Sequence, residues 1–229
     1  MIKRYLSISL VVFFRYMTFL NAQEINHVND LPVHISVSKG TQEGLVMYIT
    51  GDGGWNNFNQ QLVQVFEERG YAVVALNSRK YFWSEKSPDE FAHDVEMLSG
   101  YYMKELEKTS IIIVGYSFGA DVASFLPGRL SVELQKKIRK ITLISPSAST
   151  DFVIRLADLV GEGENMDRKY KVKPEIEQIH LPVVCTFGLE ETKILKSALS
   201  DNDALTIKVL PGDHRYNNDF ALLSKMIGL

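Results

Sequence analysis

Seven short apolar runs recur along the chain, and most gaps between them are long enough to hold a helix. The runs are VHISVS, LVMYIT, YAVVALN, SIIIVGY, KITLIS, PVVCTFG and LTIKVL, spread between residues 33 and 210. Runs this continuous in Val and Ile suit strands covered on both faces, and parallel strands need crossover connections, usually helices. Phe58 to Arg69 reads as such a helix, closed by Gly70. Ser87-Pro88-Asp89-Glu90 opens another, with serine at the N-cap, proline in the first turn and glutamate where a capping box wants it. Asp219 to Ile227 makes a final amphipathic helix, and residues 158–179, with two glycines and many charges, read as an excursion from the sheet. The expectation is a three-layer α/β sandwich with a mainly parallel central sheet and helices on both faces.

Length and composition fit one domain of that kind. The 229 residues, 45% hydrophobic and 23% charged, can bury a single core. The first 22 residues read differently: Lys3 and Arg4 precede the apolar stretch Leu6 to Phe14, and Ala22 supplies a small residue for cleavage. That is the layout of a secretory signal peptide, leaving a single domain from residue 23 to 229. Arg15 interrupts the stretch, so an uncleaved anchor stays open, although the segment is short and charged for a spanning helix. Cleavage removes Lys3, Arg4 and Arg15 from 25 basic residues and nothing from 28 acidic ones, moving the net charge from −3 to about −6. No basic face or aromatic-basic run suggests a nucleic-acid partner. Cys185 is the single cysteine, so no internal disulfide forms, and its apolar surroundings read as those of a buried small hydrophobe.

The chemistry is expected at the carboxyl ends of the strands, where open α/β sheets collect ligands. There, VGYSFGADV places Ser117 between Gly115 and Gly119, after a strand and before a helix-like segment. This is the context of a nucleophile elbow, whose sharp turn leaves no room for a Cβ at the flanking positions. A serine hydroxyl needs a base oriented by an acid. In the chain order serine, acid, histidine, His214 of PGDH is the histidine in place: His27 and His34 precede the elbow, His93 lies in a helical pattern, and His180 precedes a strand. The acid follows VVCTFG, where Glu191, three residues after Gly188, is favoured and Glu190 is the alternative. An oxyanion hole would combine the backbone N–H of Phe118 with that of Asp52 or Gly53 in GDGGW. No Gly-Lys-Ser/Thr ending marks a phosphate loop, and no paired histidines or cysteine cluster marks a metal site, so no cofactor is expected.

Together, TGDGGW, NSRKYFWSEKSPDEFAHDV, GYSFGADV and PGDH resemble the bacterial VirJ/AcvB virulence-protein family over nearly all of the chain after residue 22. The resemblance implies an α/β-hydrolase fold, export to the periplasm, and hydrolysis of the lysyl ester of lysyl-phosphatidylglycerol. It carries the nucleophile onto Ser117 and the base onto His214. The chain departs from the family pattern with Lys193, where an aspartate is expected, and lacks a cysteine to partner Cys185. A lysyl ester brings two ammonium groups, for which Asp52 and Asp121 are the nearby acids; Asp121, four residues after Ser117, has a buried structural role as its other reading. Arg79 and Lys80 either meet a lipid phosphate or are solvated surface charges. Trp55, Tyr81, Phe82 and Trp83 either wall an acyl or headgroup pocket or pack their loops onto the sheet. The implied partner is a lipid or small ester, with peripheral membrane contact. The competing readings are a general carboxylesterase and an inert secretion-accessory or binding protein on a hydrolase fold.

Overall fold

Each apolar run becomes a strand. The computed structural model describes residues 27–38, 40, 42–155 and 168–227, so the expected signal peptide and residues 158–167 of the expected excursion lie outside the described residues. The chain divides into two units, Met1–Leu31 and Pro32–Leu229. In the first, residues 27–30 form a helical turn, and Leu31 N–H donates to the Val28 carbonyl at 3.3 Å. Everything below belongs to the second.

Its strands are β1 (Val33–Ser36), β2 (Gly44–Ile49), β3 (Ala72–Leu76), β4 (Ser110–Tyr116), β5 (Ile138–Ile144), β6 (Ser149–Thr150), β7 (Tyr170–Lys171), β8 (Val183–Gly188) and β9 (Leu205–Leu210). Seven form one sheet in the order β1-β3-β2-β4-β5-β8-β9, while β6 and β7 make a separate antiparallel pair. All neighbours in the large sheet run parallel except β1, which lies antiparallel to β3. The described part of the excursion is thus β7 followed by a short helix.

Helices cover both faces, which is why β2, β3 and β4 are buried along their whole length. On one face, α1 (Asn57–Glu68) and α5 (Phe220–Ile227) bring Phe58, Leu62, Phe66 and Leu223 onto Val46, Tyr48, Val114 and Tyr116. The intervening residues Leu45, Met47 and Ile113, also 0% exposed, point the other way. Toward them pack α3 (Pro88–Glu105) and α4 (Phe118–Ala123). There Phe82, Phe91 and Phe152 form a network of tilted and edge-to-face rings. Cys185 on β8 is 0% exposed, and burial pushes its thiol up to about 12.

The local signals act as the residue types dictate. Ser87 Oγ accepts from Glu90 N–H at 3.1 Å while Glu90 Oε2 accepts from Ser87 N–H at 2.7 Å, closing the expected capping box. Gly70 follows α1 at φ +89, a value that suits glycine. α5 begins at Phe220, one residue later than expected, because Asp219 caps it by accepting from Leu222 N–H at 2.9 Å. The parallel strands deliver GDGGW, Ser117, Glu191 and His214 to one edge of the sheet.

Candidate active site

Ser117 sits where β4 hands over to α4, at φ 54 and ψ −123. That conformation is strained for a residue with a side chain, on the order of 1–3 kcal/mol, and persists only where the surroundings enforce it. They do so here. Ser117 N–H donates to the Ile144 carbonyl at 2.8 Å, and the turn presses on the end of β2. A Cβ at Gly119 would lie 2.2 Å from the Ile49 oxygen, and one at Gly115 would lie 2.4 Å from the Gly119 oxygen. Both glycines of the motif are therefore required by backbone crowding.

The hydroxyl of Ser117 lies 3.0 Å from His214 Nε2, and His214 Nδ1 lies 2.6 Å from Glu191 Oε1. An ionised carboxylate only accepts, so Nδ1 carries the ring proton and Nε2 is left to accept from Ser117. The other oxygen of Glu191 accepts from Gly188 N–H at 2.5 Å and from Ser145 Oγ at 2.8 Å. Burial works to raise the pKa of Glu191, but these donors outweigh it and hold the carboxyl below its ordinary value. A Cβ at Gly188 would lie 2.2 Å from the Asp213 oxygen, so the acid strand and the histidine loop can touch only through a glycine. Glu190 is exposed, and its N–H donates to Gly212 O at 3.1 Å. The structure thus brings Ser117, His214 and Glu191 together and leaves Glu190 outside.

A second layer was not anticipated from the sequence. Ser145 spends its proton on Glu191, so Tyr216 O–H donates to Ser145 Oγ at 2.6 Å, and Thr186 donates in turn to Tyr216 at 3.1 Å. These residues come from the ends of β5 and β8 and from the histidine loop. The one local signal was that Ser145 and Thr186 lie in apolar runs at the carboxyl edge of the sheet. Tyr116 steadies the histidine from below, donating to the His214 carbonyl at 3.2 Å with its ring centroid 5.3 Å from the imidazole.

The remaining expectations divide. Gly51 seats the GDGGW loop beside Ser117: a Cβ there would lie 3.4 Å from Ser117 Cβ. Gly53 N–H donates to Asp52 Oδ1 at 2.8 Å, so of the two alternative oxyanion donors the Gly53 amide is engaged. Phe118 N–H lies in the first turn of α4, where a helix supplies no acceptor of its own. Three side chains do not stand where a substrate-binding role requires. Asp121 is 5% exposed and its Oδ1 accepts from Ser147 N–H at 2.5 Å, so it is a buried carboxylate tying α4 to the segment after β5. Tyr81 is 5% exposed and donates its hydroxyl to Asp94 at 2.5 Å, and Phe82 is buried beside it; both pack the loop down. The cause is α2 (Ser78–Tyr81), a single helical turn that swings Tyr81 inward. Trp55, Arg79, Lys80 and Trp83, with His34 and Asn77, instead line a cavity of about 660 Å³ that Gly53 also borders. Lys193 donates to the Ser145 carbonyl and to Ser147 Oγ, both at 3.0 Å. Among the described residues, no group of three or more His, Cys, Asp or Glu is placed to hold a metal ion, and no helix is long and apolar enough to cross a membrane.

Known structures share this arrangement of sheet and helices. Est1E from Butyrivibrio proteoclasticus superposes with a TM-score of 0.60 at 16% identity, covering 85% of this chain and 90% of that one. MenH from S. aureus gives 0.61 at 12% identity, covering 86% and 97%. Identities this low show the α/β-hydrolase fold. In sequence, a stretch of 62 residues is 39% identical to protein phosphatase methylesterase 1 of Saccharomyces cerevisiae, covering 24% of this chain and only 16% of that protein's own length. The family model described as bacterial virulence protein (VirJ) matches residues 43–228. That match takes in the elbow, the acid loop and the histidine loop within one α/β-hydrolase domain, and the chain belongs to the VirJ family.

Proposed function

We propose that the protein is a serine esterase, with Ser117 as nucleophile, His214 as base and then acid, and Glu191 as the carboxylate that orients it. The observation that carries this reading is the unbroken hydrogen-bond chain from Ser117 to His214 to Glu191, anchored on an elbow serine at φ 54. As Ser117 Oγ attacks the ester carbonyl, its proton passes to His214 Nε2. Glu191, kept ionised by its donors, stabilises the imidazolium. The carbonyl oxygen, now negative, takes hydrogen bonds from Phe118 N–H and Asp52 N–H. When the tetrahedral species collapses, His214 returns the proton to the departing alcohol oxygen. A water then gives its proton to His214 and attacks the acyl-serine, releasing the acid. A complete relay of this kind weighs against an inert scaffold.

The substrate proposed is the lysyl ester of lysyl-phosphatidylglycerol, cleaved in the periplasm by the domain that follows the signal peptide, with peripheral contact to the membrane. Membership in the VirJ family supports this. Asp52, on the oxyanion loop, is the acid proposed to face an ammonium group. The methylesterase-like stretch favours a second reading, a carboxylesterase for small alcohol esters. Two measurements decide. A fluorophosphonate probe should label the wild type and not Ser117→Ala, and turnover should fall on the order of 10⁶-fold in that variant, with Ser117→Ala/His214→Ala scarcely worse. Unchanged labelling or turnover in Ser117→Ala overturns the esterase. Lysine release from vesicles of lysyl-phosphatidylglycerol separates the lipid substrate from the small-ester reading, which predicts turnover of simple methyl or butyryl esters alone.

A further inference from the structure

Lys193 approaches the site from a side that the chain from Ser117 to His214 to Glu191 does not use. It stands two residues after Glu191, half-buried, at the N-cap of the short helix Ile194–Ala198. An ammonium has three N–H donors and no acceptor. Two of them go to the segment after β5, one to the Ser145 carbonyl and one to Ser147 Oγ, both at 3.0 Å. Ser145, 0% exposed and at φ 54, is strained for a residue with a side chain, and its hydroxyl donates to Glu191 Oε2 at 2.8 Å. Its N–H is already fixed, donating to the Thr186 carbonyl at 2.8 Å, so Lys193 holds the other end of a peptide that would relax if released. The ammonium is itself anchored. Ser147 N–H donates to Asp121 Oδ1 at 2.5 Å on the elbow helix α4, and although burial raises Asp121, Lys193 is the strongest of the groups pulling it the other way. Lys196, one turn on, gathers the carbonyls of Gly188, Leu189 and Glu191 at 2.9, 3.0 and 3.3 Å. Lys196 thereby ties the acid turn to itself, whereas Lys193 ties it to β5.

We propose that Lys193 is a positioning residue for the esterase reaction, its ammonium holding the Ser145 peptide in the positive-φ conformation that aims the Ser145 hydroxyl at Glu191. The inference rests on the esterase reading and adds to it a residue that acts through another side chain. A hydrogen bond from a cation to a carbonyl is stronger than a neutral one, which suits it to holding a strained peptide. Without it Ser145 can turn its hydroxyl away, Glu191 loses a donor, and the carboxylate is less firmly placed under His214. The proton still passes from Ser117 to His214, but from a poorer geometry. That lowers kcat and leaves substrate binding alone.

The test uses the full chain carrying Lys193→Met, which keeps the stem of the side chain and removes its donors. On a butyryl ester kcat should fall about fivefold with KM little changed, and Lys193→Arg should recover part of the loss. The deciding variant is double. Because Lys193 acts through Ser145, Lys193→Met should cost less than about twofold in a Ser145→Ala background, where no hydroxyl is left to aim. A full fivefold loss in that background, or a change in KM in place of kcat, overturns the proposal. Lys193→Gln, with an N–H donor on a shorter stem and no charge, carries the same comparisons if the methionine variant does not fold. A second arm needs no turnover. The proton between His214 Nδ1 and Glu191 Oε1, 2.6 Å apart, should give a far-downfield proton resonance in the wild type. That resonance should move upfield or broaden in Lys193→Met and stay near its wild-type position in Lys193→Arg. A resonance and a kcat that both ignore Lys193 overturn the positioning role and leave the esterase standing. A wild type that hydrolyses no ester, with a resonance that still answers to Lys193, overturns the esterase and leaves the tie from Lys193 to Glu191 standing.

Discussion

Glu191, after β8, and Asp121, on α4, are both carboxylates shut away from solvent, with the Glu191 side chain 4% exposed and Asp121 5%. Their charges nonetheless move in opposite directions. Glu191 accepts from His214, from Gly188 N–H and from Ser145, and is held below its ordinary value. Asp121 accepts one backbone hydrogen bond, from Ser147, and burial pushes it up to about 7 even with Lys193 and Arg168 pulling the other way. Burial alone therefore does not set the charge of an acid in this site. The number of donors aimed at its oxygens does.

The sharpest way to break the comparison is to remove the charge from one acid and leave its shape. Glu191→Gln should cut turnover on the order of 10⁴-fold, because the histidine loses both its orientation and the partner of its imidazolium form, whereas exposed Glu190→Gln should change little. Steady-state rates on one ester decide it; the reverse order would move the orienting role to Glu190.

Asp121→Asn should act on stability with little effect on rate. The folded protein keeps the Asp121 proton up to about pH 7, while an unfolded chain releases it near 3.8. The stability contributed by this proton is therefore full below about pH 4, declines as pH rises, and is gone above about pH 7. Asparagine does not titrate, so between about pH 5 and 8 the variant should gain about 2–3 kcal/mol on the wild type. Denaturant melts at the two pH values check this, and a pH-independent difference would sink it.

The smallest effect sharpens the count of donors. Ser145→Ala removes one donor from Glu191 directly and should lower kcat about tenfold with KM little changed. Tyr216→Phe, one bond further away, should lower it only a few-fold. If Tyr216→Phe proves the more damaging, the Tyr216 hydroxyl matters for something other than the orientation of Ser145.

Much of this was legible in the sequence, for reasons that differ from residue to residue. The strands were readable because sheets covered on both faces force continuous apolar runs. Ser117 and His214 were readable because glycine spacing and chain order are local or one-dimensional properties. Glu191 was favoured over Glu190 by its distance from Gly188, and the same glycine turns out to donate its N–H to Glu191 Oε2 at 2.5 Å. Ser145 and Tyr216 were not readable: they are 71 residues apart, and only the pairing of β5 with β8 and the fold of the histidine loop bring them together. Tyr81 was misplaced because a motif of three successive aromatics says nothing about which ring turns inward. That depends on the phase of α2, a turn too short to show periodicity.

The histidine loop also holds Tyr216, Asn217 and Asn218 in succession at φ 54, 53 and 57. This turn is wound against the handedness of its own amino acids, at a cost of roughly 1–2 kcal/mol per residue, least for the asparagines. It is kept wound chiefly by Tyr216, which is 1% exposed and bonded to Ser145 and Thr186. Any fluctuation that draws the tyrosine out of its seat lets the turn unwind downhill, and His214, two residues earlier, goes with it. The loop should thus open at a lower temperature than the seven-stranded sheet beneath it. On warming, the hydrogen bond between Ser117 and His214 should be lost while the bulk of the molecule is still folded.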